Sequence, residues 1–335
     1  MSYFERDFKL PEWFGDFGGS LSADTDLLIN SDFAPRAEDA LKDPRFETMF
    51  REVLNHLVPE KWTYKTYSVN GKTMYVVPKL SGYYNVAGQV VVAKLMGYEQ
   101  IKAGSYCRGS AVALAKACKF VGLKCFIVLG RKASVDQELL DELHALGAEY
   151  ENTVCLKQVD VPYGILLVPF CRPDWYTVAL DGNLGRYPIP GLVGALASIY
   201  GKEIKEALAD KIDACVIPIT TGTEAVGVFG GLMDTDVAMA TCEEPISQEF
   251  HLGESGTYTI ATRSALYDQA NTTICPELAN WWHKARVSRL GCDKLGYVNV
   301  DAYEGTGLNA LEARAAELAF TDLKCDKLLV VGGHI

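Results

Sequence analysis

Apolar positions along the chain change period several times, and the changes come in a regular order. "EQIKAG" (99–104) reads as a short strand and "SYCRG" as a turn, and "SAVALAKACKFVG" then sets Ala111, Leu114, Ala115, Cys118 and Val121 on one helical face. "KCFIVLG" is a continuous apolar run closed by Gly130, as a buried strand requires. Beyond it Ser134 and Gln137 have capping-box spacing, and Leu139, Leu140, Leu143 and Leu146 form the face of the helix they open. The alternation returns later. A long amphipathic helix is predicted from Gly191 to Ala209, followed by a strand in "ACVIPIT" (214–220). A helix grows out of "TGTEAVGVFGGLMD", and "DVAMATCEE" (236–244) is the next strand. Strands alternating with helices predict mostly parallel sheets flanked by helices. Two such runs with separate glycine-bearing turns predict two α/β domains and a cleft between them. The smaller spans 80–185, and the larger combines 1–79 with 186–335.

Composition narrows the partners. At 335 residues, 49% hydrophobic and 22% charged, the chain has the make-up of an ordinary globular protein. A net charge of −11 argues against nucleic acid, which demands clustered Lys and Arg. No apolar run is long enough to span a membrane, and "MSYFERDFKLPEWF" lacks the pattern of a signal peptide, so cytoplasmic residence is expected. The ten cysteines include no CxxC pair, and Cys118, Cys125 and Cys215 lie in apolar stretches as small buried hydrophobes. Five histidines show no ligand spacing with them, so no metal site is expected.

Several stretches occur in one order along nearly the whole chain: "WFGDFGGSLSADT", "GQVVVAKLMGYEQIKAGSYCRGSAVALAKACKFVGLKCFIVLGRK", "PDWYTV" with "GRYPIPGLVGALASIYGKEIKEAL", "ACVIPITTGTEAVGVFGG" and "YVNVDAYE". Together they resemble the β subunit of tryptophan synthase, a pyridoxal-phosphate enzyme of fold type II. The resemblance implies that fold for both domains. It also implies a carboxylate-gripping loop at a helix N-terminus, here Gly104, Ser105, Tyr106, Cys107, Arg108 and Gly109. Arg108 adds a charge able to hold a carboxylate bidentately, or else it pairs with a surface acid. Cys107, beside it, stands where a thiol's pKa falls, or else it packs against the cleft wall.

The chemistry departs from the pattern. The family's Schiff-base lysine falls on Gly82, or on a neighbour among Tyr83, Tyr84, Asn85 and Val86, and none of these is lysine. Lys79 is assigned to the preceding strand, and Lys94 to a solvated helix position about three turns on, so neither is expected to substitute without rebuilding the site. An acidic residue ahead of the carboxylate loop becomes Lys102, while Glu304 keeps an acid near the family's pyridine ring. The phosphate loop becomes Thr220, Thr221, Gly222, Thr223 and Glu224, and Thr221 with Glu224 makes a T-x-x-E capping box. A carboxylate there would repel a phosphate by roughly 4 kcal/mol at 4 Å and an effective dielectric near 20. The expectation is therefore that no cofactor is used and that pyridoxal phosphate binds poorly.

Three functions fit these residues. The first is a cofactor-independent lyase, cyclase or isomerase acting on a small carboxylate-bearing, amino-acid-like or aromatic substrate. Its catalytic groups would come from Cys107, Tyr83, Tyr84, Lys102 and Glu304, with Asn85 and the 104–109 loop binding substrate. The second is a non-catalytic relative that binds a metabolite or a partner subunit. The third is a pyridoxal-phosphate enzyme using another lysine. Trp281 and Trp282 in "CPELANWW" predict an apolar surface covered in a homodimer, and an α-subunit-like partner is compatible with the resemblance.

Overall fold

The computed structural model describes residues 3–8, 33–105, 108–129, 136–152, 176–179, 190–219, 223–232, 234–243, 250–251, 257–258, 288–290 and 300–333. The chain begins with helices α1 (Phe33–Lys42) and α2 (Phe46–Leu57), then strands β1 (Lys65–Val69) and β2 (Lys72–Val77). There follow α3 (Ser81–Leu95), β3 (Gln100–Ser105), α4 (Arg108–Val121), β4 (Lys124–Leu129), α5 (Gln137–Ala145), β5 (Glu149–Asn152) and β6 (Tyr176–Ala179). The second half carries α6 (Pro190–Leu208), β7 (Ala214–Ile219), α7 (Thr223–Leu232) and β8 (Ala238–Glu243). Short strands β9 (Phe250–His251), β10 (Thr257–Tyr258) and β11 (Ser288–Leu290) precede α8 (Ala310–Asp322) and β12 (Lys327–Val331). The expected alternation is present, with element ends within two residues of those read from the pattern. Among the described residues no helix is long and apolar enough to cross a membrane.

Contacts divide the chain into two units, one of residues 1–60, 82–196 and 249–260, the other of 61–81, 197–248 and 261–335. The first holds a four-stranded parallel sheet in the order β5-β4-β3-β6. The α2 helix, grouped in the sequence with the other half, packs here on α4. It presents Phe46, Phe50, Val53 and Leu54, and the buried face of α4 is mostly alanine, which lets the two helices approach closely. Phe50 stacks on Phe46 at 5.7 Å and meets the ring of Tyr84 edge-on at 5.8 Å. Residues 84–93 of α3 are all buried, so this helix is covered on every side and shows no polar face. Its two polar members, Asn85 and Gln89, stand four apart and bond to each other, Gln89 Nε2 donating to Asn85 Oδ1 at 2.8 Å.

The second unit holds a six-stranded sheet in the order β1-β2-β12-β7-β8-β11. Strands β1 and β2 form an antiparallel hairpin, and every other pairing is parallel. The hairpin turns on Asn70 and Gly71, whose φ values of 49° and 80° are those of the two-residue turn that Asn-Gly favours. One face of this sheet is covered by α8, which contributes Ala313, Ala316, Ala319 and Phe320 to a core with Met74, Val76, Val216 and Val330.

Within this unit α6 and α7 approach at van der Waals limit through glycine. A Cβ on Gly231 would lie 2.0 Å from the carbonyl carbon of Gly201, and one on Gly201 would lie 2.3 Å from the carbonyl oxygen of Gly227. The obstructing atoms are backbone, so the helices themselves would have to part. Gly231→Ala should therefore destabilise the fold by about 1–3 kcal/mol, the usual cost of overpacking. Gly82→Ala is the matched control, because a Cβ there meets nothing within 4 Å. It should leave stability unchanged or raise it by up to about 1 kcal/mol. Urea denaturation of the two variants checks the pair; equal effects would refute the packing argument.

Candidate functional site

In an open parallel sheet the helix N-termini gather at the carboxyl ends of the strands, and ligands bind there. The six-stranded sheet has such an edge. Strand β2 stops at Val77, and the residues that follow are pinned by three helices. Pro78 offers its carbonyl to the hydroxyl of buried Tyr200 on α6, 2.7 Å away. Lys79 Nζ lies 2.7 Å from Glu312 Oε1 on α8. Ser81 packs against α7 so closely that a Cβ on Gly227 would come within 2.7 Å of its Oγ. Residues 78–81 are thus held beside α7, the helix that follows β7.

Glu312 is the hub of this edge, with a side chain only 4% exposed. It closes a capping box with Asn309, whose side chain accepts from Glu312 N at 2.9 Å while Glu312 Oε2 accepts from Asn309 N at 3.0 Å. The same Oε2 accepts from Gly333 N at 3.0 Å, just past the end of β12. A Cβ on Gly332 would lie 2.7 Å from the Glu312 carboxyl carbon, so a larger residue there would push this side chain aside. Burial alone would raise the Glu312 pKa, but Lys79 and the two backbone donors outweigh it and hold the carboxyl below its ordinary value.

In the first unit the corresponding edge is the end of β3. Gly104 and Ser105 are its last two residues, paired with Val128 and Leu129 of β4. Arg108 and Gly109 already belong to α4. The expected loop therefore begins in the end of β3 and finishes in α4; Tyr106 and Cys107 between them lie outside the described residues. Arg108 spends its guanidinium on α5: its nitrogens lie 3.0 Å from Glu138, 3.3 Å from Asp136 and 3.4 Å from Glu142. Its side chain is 35% exposed. Asp136 also caps α5, accepting from Leu139 N at 2.8 Å, where the sequence had suggested Ser134. Gln137 turns to Asp141 instead of back along the chain.

The remaining expected residues are spread between the units. Tyr83 is half-buried on α3, Tyr84 is buried against Phe50, and Asn85 is buried beside Gln89. Lys102 sits in mid-β3, its backbone paired with Phe126 and Thr177. Glu304 is exposed in the second unit, after a 3-10 turn at Val300–Tyr303. Thr223 opens α7, while Thr220, Thr221, Gly222 and the side chain of Glu224 lie outside the described residues. Lys94 is exposed, and Lys79 lies beyond its strand rather than in it. Glu312 was not among the expected residues; its N-x-x-E spacing with Asn309 is a signal for a cap, but not for the contact with Lys79. Among the described residues no group of three His, Cys, Asp or Glu could hold a metal ion.

No family model matches the chain. It is 25% identical to tryptophan synthase of Saccharomyces cerevisiae over 99% of its own length, and 26% identical to a tryptophan synthase beta chain of Cereibacter sphaeroides over 66%. It spans 54% and 59% of the lengths of those relatives. Among solved structures it resembles a pyridoxal 5'-phosphate-dependent aspartate racemase, with TM-score 0.53 and 13% identity over 86% of this chain and 95% of that one. The serine racemase of Dictyostelium discoideum matches with TM-score 0.54 and 16% identity, over 86% of this chain and 98% of the racemase. The fold is that of the fold type II pyridoxal-phosphate enzymes. Within that class the sequence is similar to tryptophan synthase and its beta chain.

The expectation of no cofactor needs correction. A protein of this fold, the aspartate racemase, is pyridoxal 5'-phosphate-dependent, and this points to use of the cofactor instead of its absence. The repulsion argument assumed a position for the Glu224 carboxylate, which lies outside the described residues. The edge of the six-stranded sheet fits such a group on two counts. It carries the amine of Lys79, paired with Glu312 and 32% exposed, and the N-terminus of the ten-residue helix α7, an end of the kind that favours a phosphate.

The Glu312 hub has a pH signature. Its pKa is lower in the folded chain than the ordinary 4.5, so the stabilisation is complete above about pH 4.5 and is lost as acid titrates the folded carboxylate below that value. Glu312→Gln should cost about 1–3 kcal/mol at pH 7, because Lys79 and the backbone donors lose a charged acceptor. It should also flatten the pH dependence of the melting temperature between pH 5 and 3. Parallel slopes for both proteins would remove Glu312 from that role.

Proposed function

We propose that the chain acts as a tryptophan synthase β-like enzyme that uses pyridoxal phosphate on a small substrate bearing an amino group and a carboxylate. The observation that carries this is the carboxyl edge of the six-stranded sheet, where residues 78–81 are pinned by Tyr200, by Glu312 and by the middle of α7 at Gly227. Pyridoxal phosphate, when bound, supplies an electron sink for charge developing at the substrate's α-carbon. Its phosphate would be held by the first turn of α7, opening at Thr223.

The substrate carboxylate falls to the end of β3 and the head of α4, through Gly104, Ser105, Arg108 and Gly109. Backbone N–H groups at the head of α4 favour an anion, and Arg108 contributes in so far as it is drawn from its acids on α5. Tyr83, Lys102, Cys107 and Glu304 are the residues proposed to hold or move protons. A second copy of the chain, or an α-subunit-like chain, is the proposed partner.

Titration calorimetry with pyridoxal phosphate, followed by a panel of α-amino acids, tests this. Cofactor binding should be measurable well below ~1 mM, the range of weak adventitious contacts near −4 kcal/mol. Arg108→Ala should then weaken amino-acid binding by about 1.5–3 kcal/mol. Glu138→Gln should strengthen it, because the nearest acid on Arg108 is removed. Absence of cofactor binding would sink the proposal; unchanged amino-acid affinity in both variants would move the carboxylate site elsewhere.

A further inference from the structure

Residues 3–8 make one amphipathic turn. Glu5, Arg6 and Asp7 are exposed, whereas Phe4 is only 4% exposed and Tyr3 and Phe8 are half-buried. Phe8 N donates to Glu5 O at 3.0 Å, and the rings of Phe4 and Phe8 lie 4.6 Å apart. The apolar side of this turn rests on α2. Phe4 meets Phe46 edge-on at 5.7 Å, Tyr3 meets Phe50 edge-on at 5.8 Å, and the Arg51 guanidinium lies over the Tyr3 ring at 4.9 Å. The run of rings continues past α2, because Phe46 stacks on Phe50 and Phe50 meets Tyr84 in the first turn of α3.

Aromatic rings prefer edge-on or offset contact, so each ring in such a run limits where the next can sit. A close-packed interior passes a displacement on instead of absorbing it. Tyr84 is 1% exposed and stands three residues after Ser81, so the place of its ring governs how α3 leaves the connection 78–81. We propose that residues 3–8 are a brace: docked on α2, they set the position of Tyr84 and through it the first turn of α3. Phe4 is then a positioning residue that touches no substrate and acts through Phe46 and Phe50. That the brace matters for ligand binding rests on the function proposed above; that it sets Tyr84 does not. Nothing in the pattern of residues signalled this, since the three aromatics of "YFERDF" find their partners far along the chain.

Two readouts on the full chain test the brace. Phe4→Ala removes the ring, and Phe4→Leu keeps an apolar side chain in its place. In NMR spectra of tyrosine-labelled protein, Phe4→Ala should shift the ring signals of Tyr84, with two rings between them, and Phe4→Leu should return them most of the way. Calorimetry should show pyridoxal phosphate bound about tenfold more weakly by Phe4→Ala, and less weakened by Phe4→Leu, in buffer where circular dichroism shows both folded. Unmoved Tyr84 signals overturn the inference. So does equal cofactor affinity in the parent and Phe4→Ala, in which case the proposed function stands without it. If the parent itself binds no cofactor, the proposed function falls and the Tyr84 signals alone decide the brace. Should Phe4→Ala fail to fold, Tyr3→Leu takes its place, because Tyr3 presses on Phe50 directly; Tyr84 signals unmoved by that change overturn the inference as well.

Discussion

The carboxylate of Glu312 joins three pieces of chain that are remote in sequence: the connection after β2, the first turn of α8 and the residues past β12. Parallel β2 and β12 end side by side, and the N–H of Gly332 closes the pair on the carbonyl of Val77. Because α8 runs antiparallel to β12, its N-terminus arrives at the same edge. One acid then satisfies a helix cap, a strand end and an ammonium ion. A buried carboxylate without these donors would be costly, and with them it fixes where each element stops. A larger residue than Gly332 would press on this carboxyl group and displace it.

The proposed function rests on the same edge. The parallel crossover places helix N-termini and strand ends together, which is the arrangement that holds phosphates and carboxylates in folds of this kind. The two units repeat it with different contents. In one, Arg108 at the head of α4 is already engaged by Asp136, Glu138 and Glu142, so an incoming anion competes with three acids. In the other, the lysine is held by one buried acid and retains exposed surface. Solvent-exposed pairs such as those of Arg108 contribute little and exchange readily, whereas a pair on a buried carboxylate is far more expensive to break.

Much of the architecture was legible in the pattern of residues. The period change from "KCFIVLG" to "VDQELLDELHALG" marks β4 and α5, and the apolar run "ACVIPI" marks β7 as a buried strand. The family resemblance carried the fold class. It misled on the cofactor, because it weighed the lysine missing from position 82 and a carboxylate whose position the sequence could not supply. Helix α3 has almost no amphipathic signal, since every side of it from Tyr84 to Ala93 is covered. Its alignment could locate it, but not its surroundings.

By itself the sequence determined what depends on neighbours one to four residues apart: strand and helix alternation, the Asn-Gly hairpin turn, the Asn309–Glu312 cap, and the apolar faces that choose the core. Those features are set by backbone sterics, side-chain period and local hydrogen bonds, all of which act over short chain distances. Tertiary structure alone decided that β12 enters between β2 and β7, that Gly201 and Gly231 meet, and that Lys79 finds Glu312 across more than two hundred residues. Which strand pairs with which, and which charge meets which, depends on the path of the intervening chain, and no local period encodes that path.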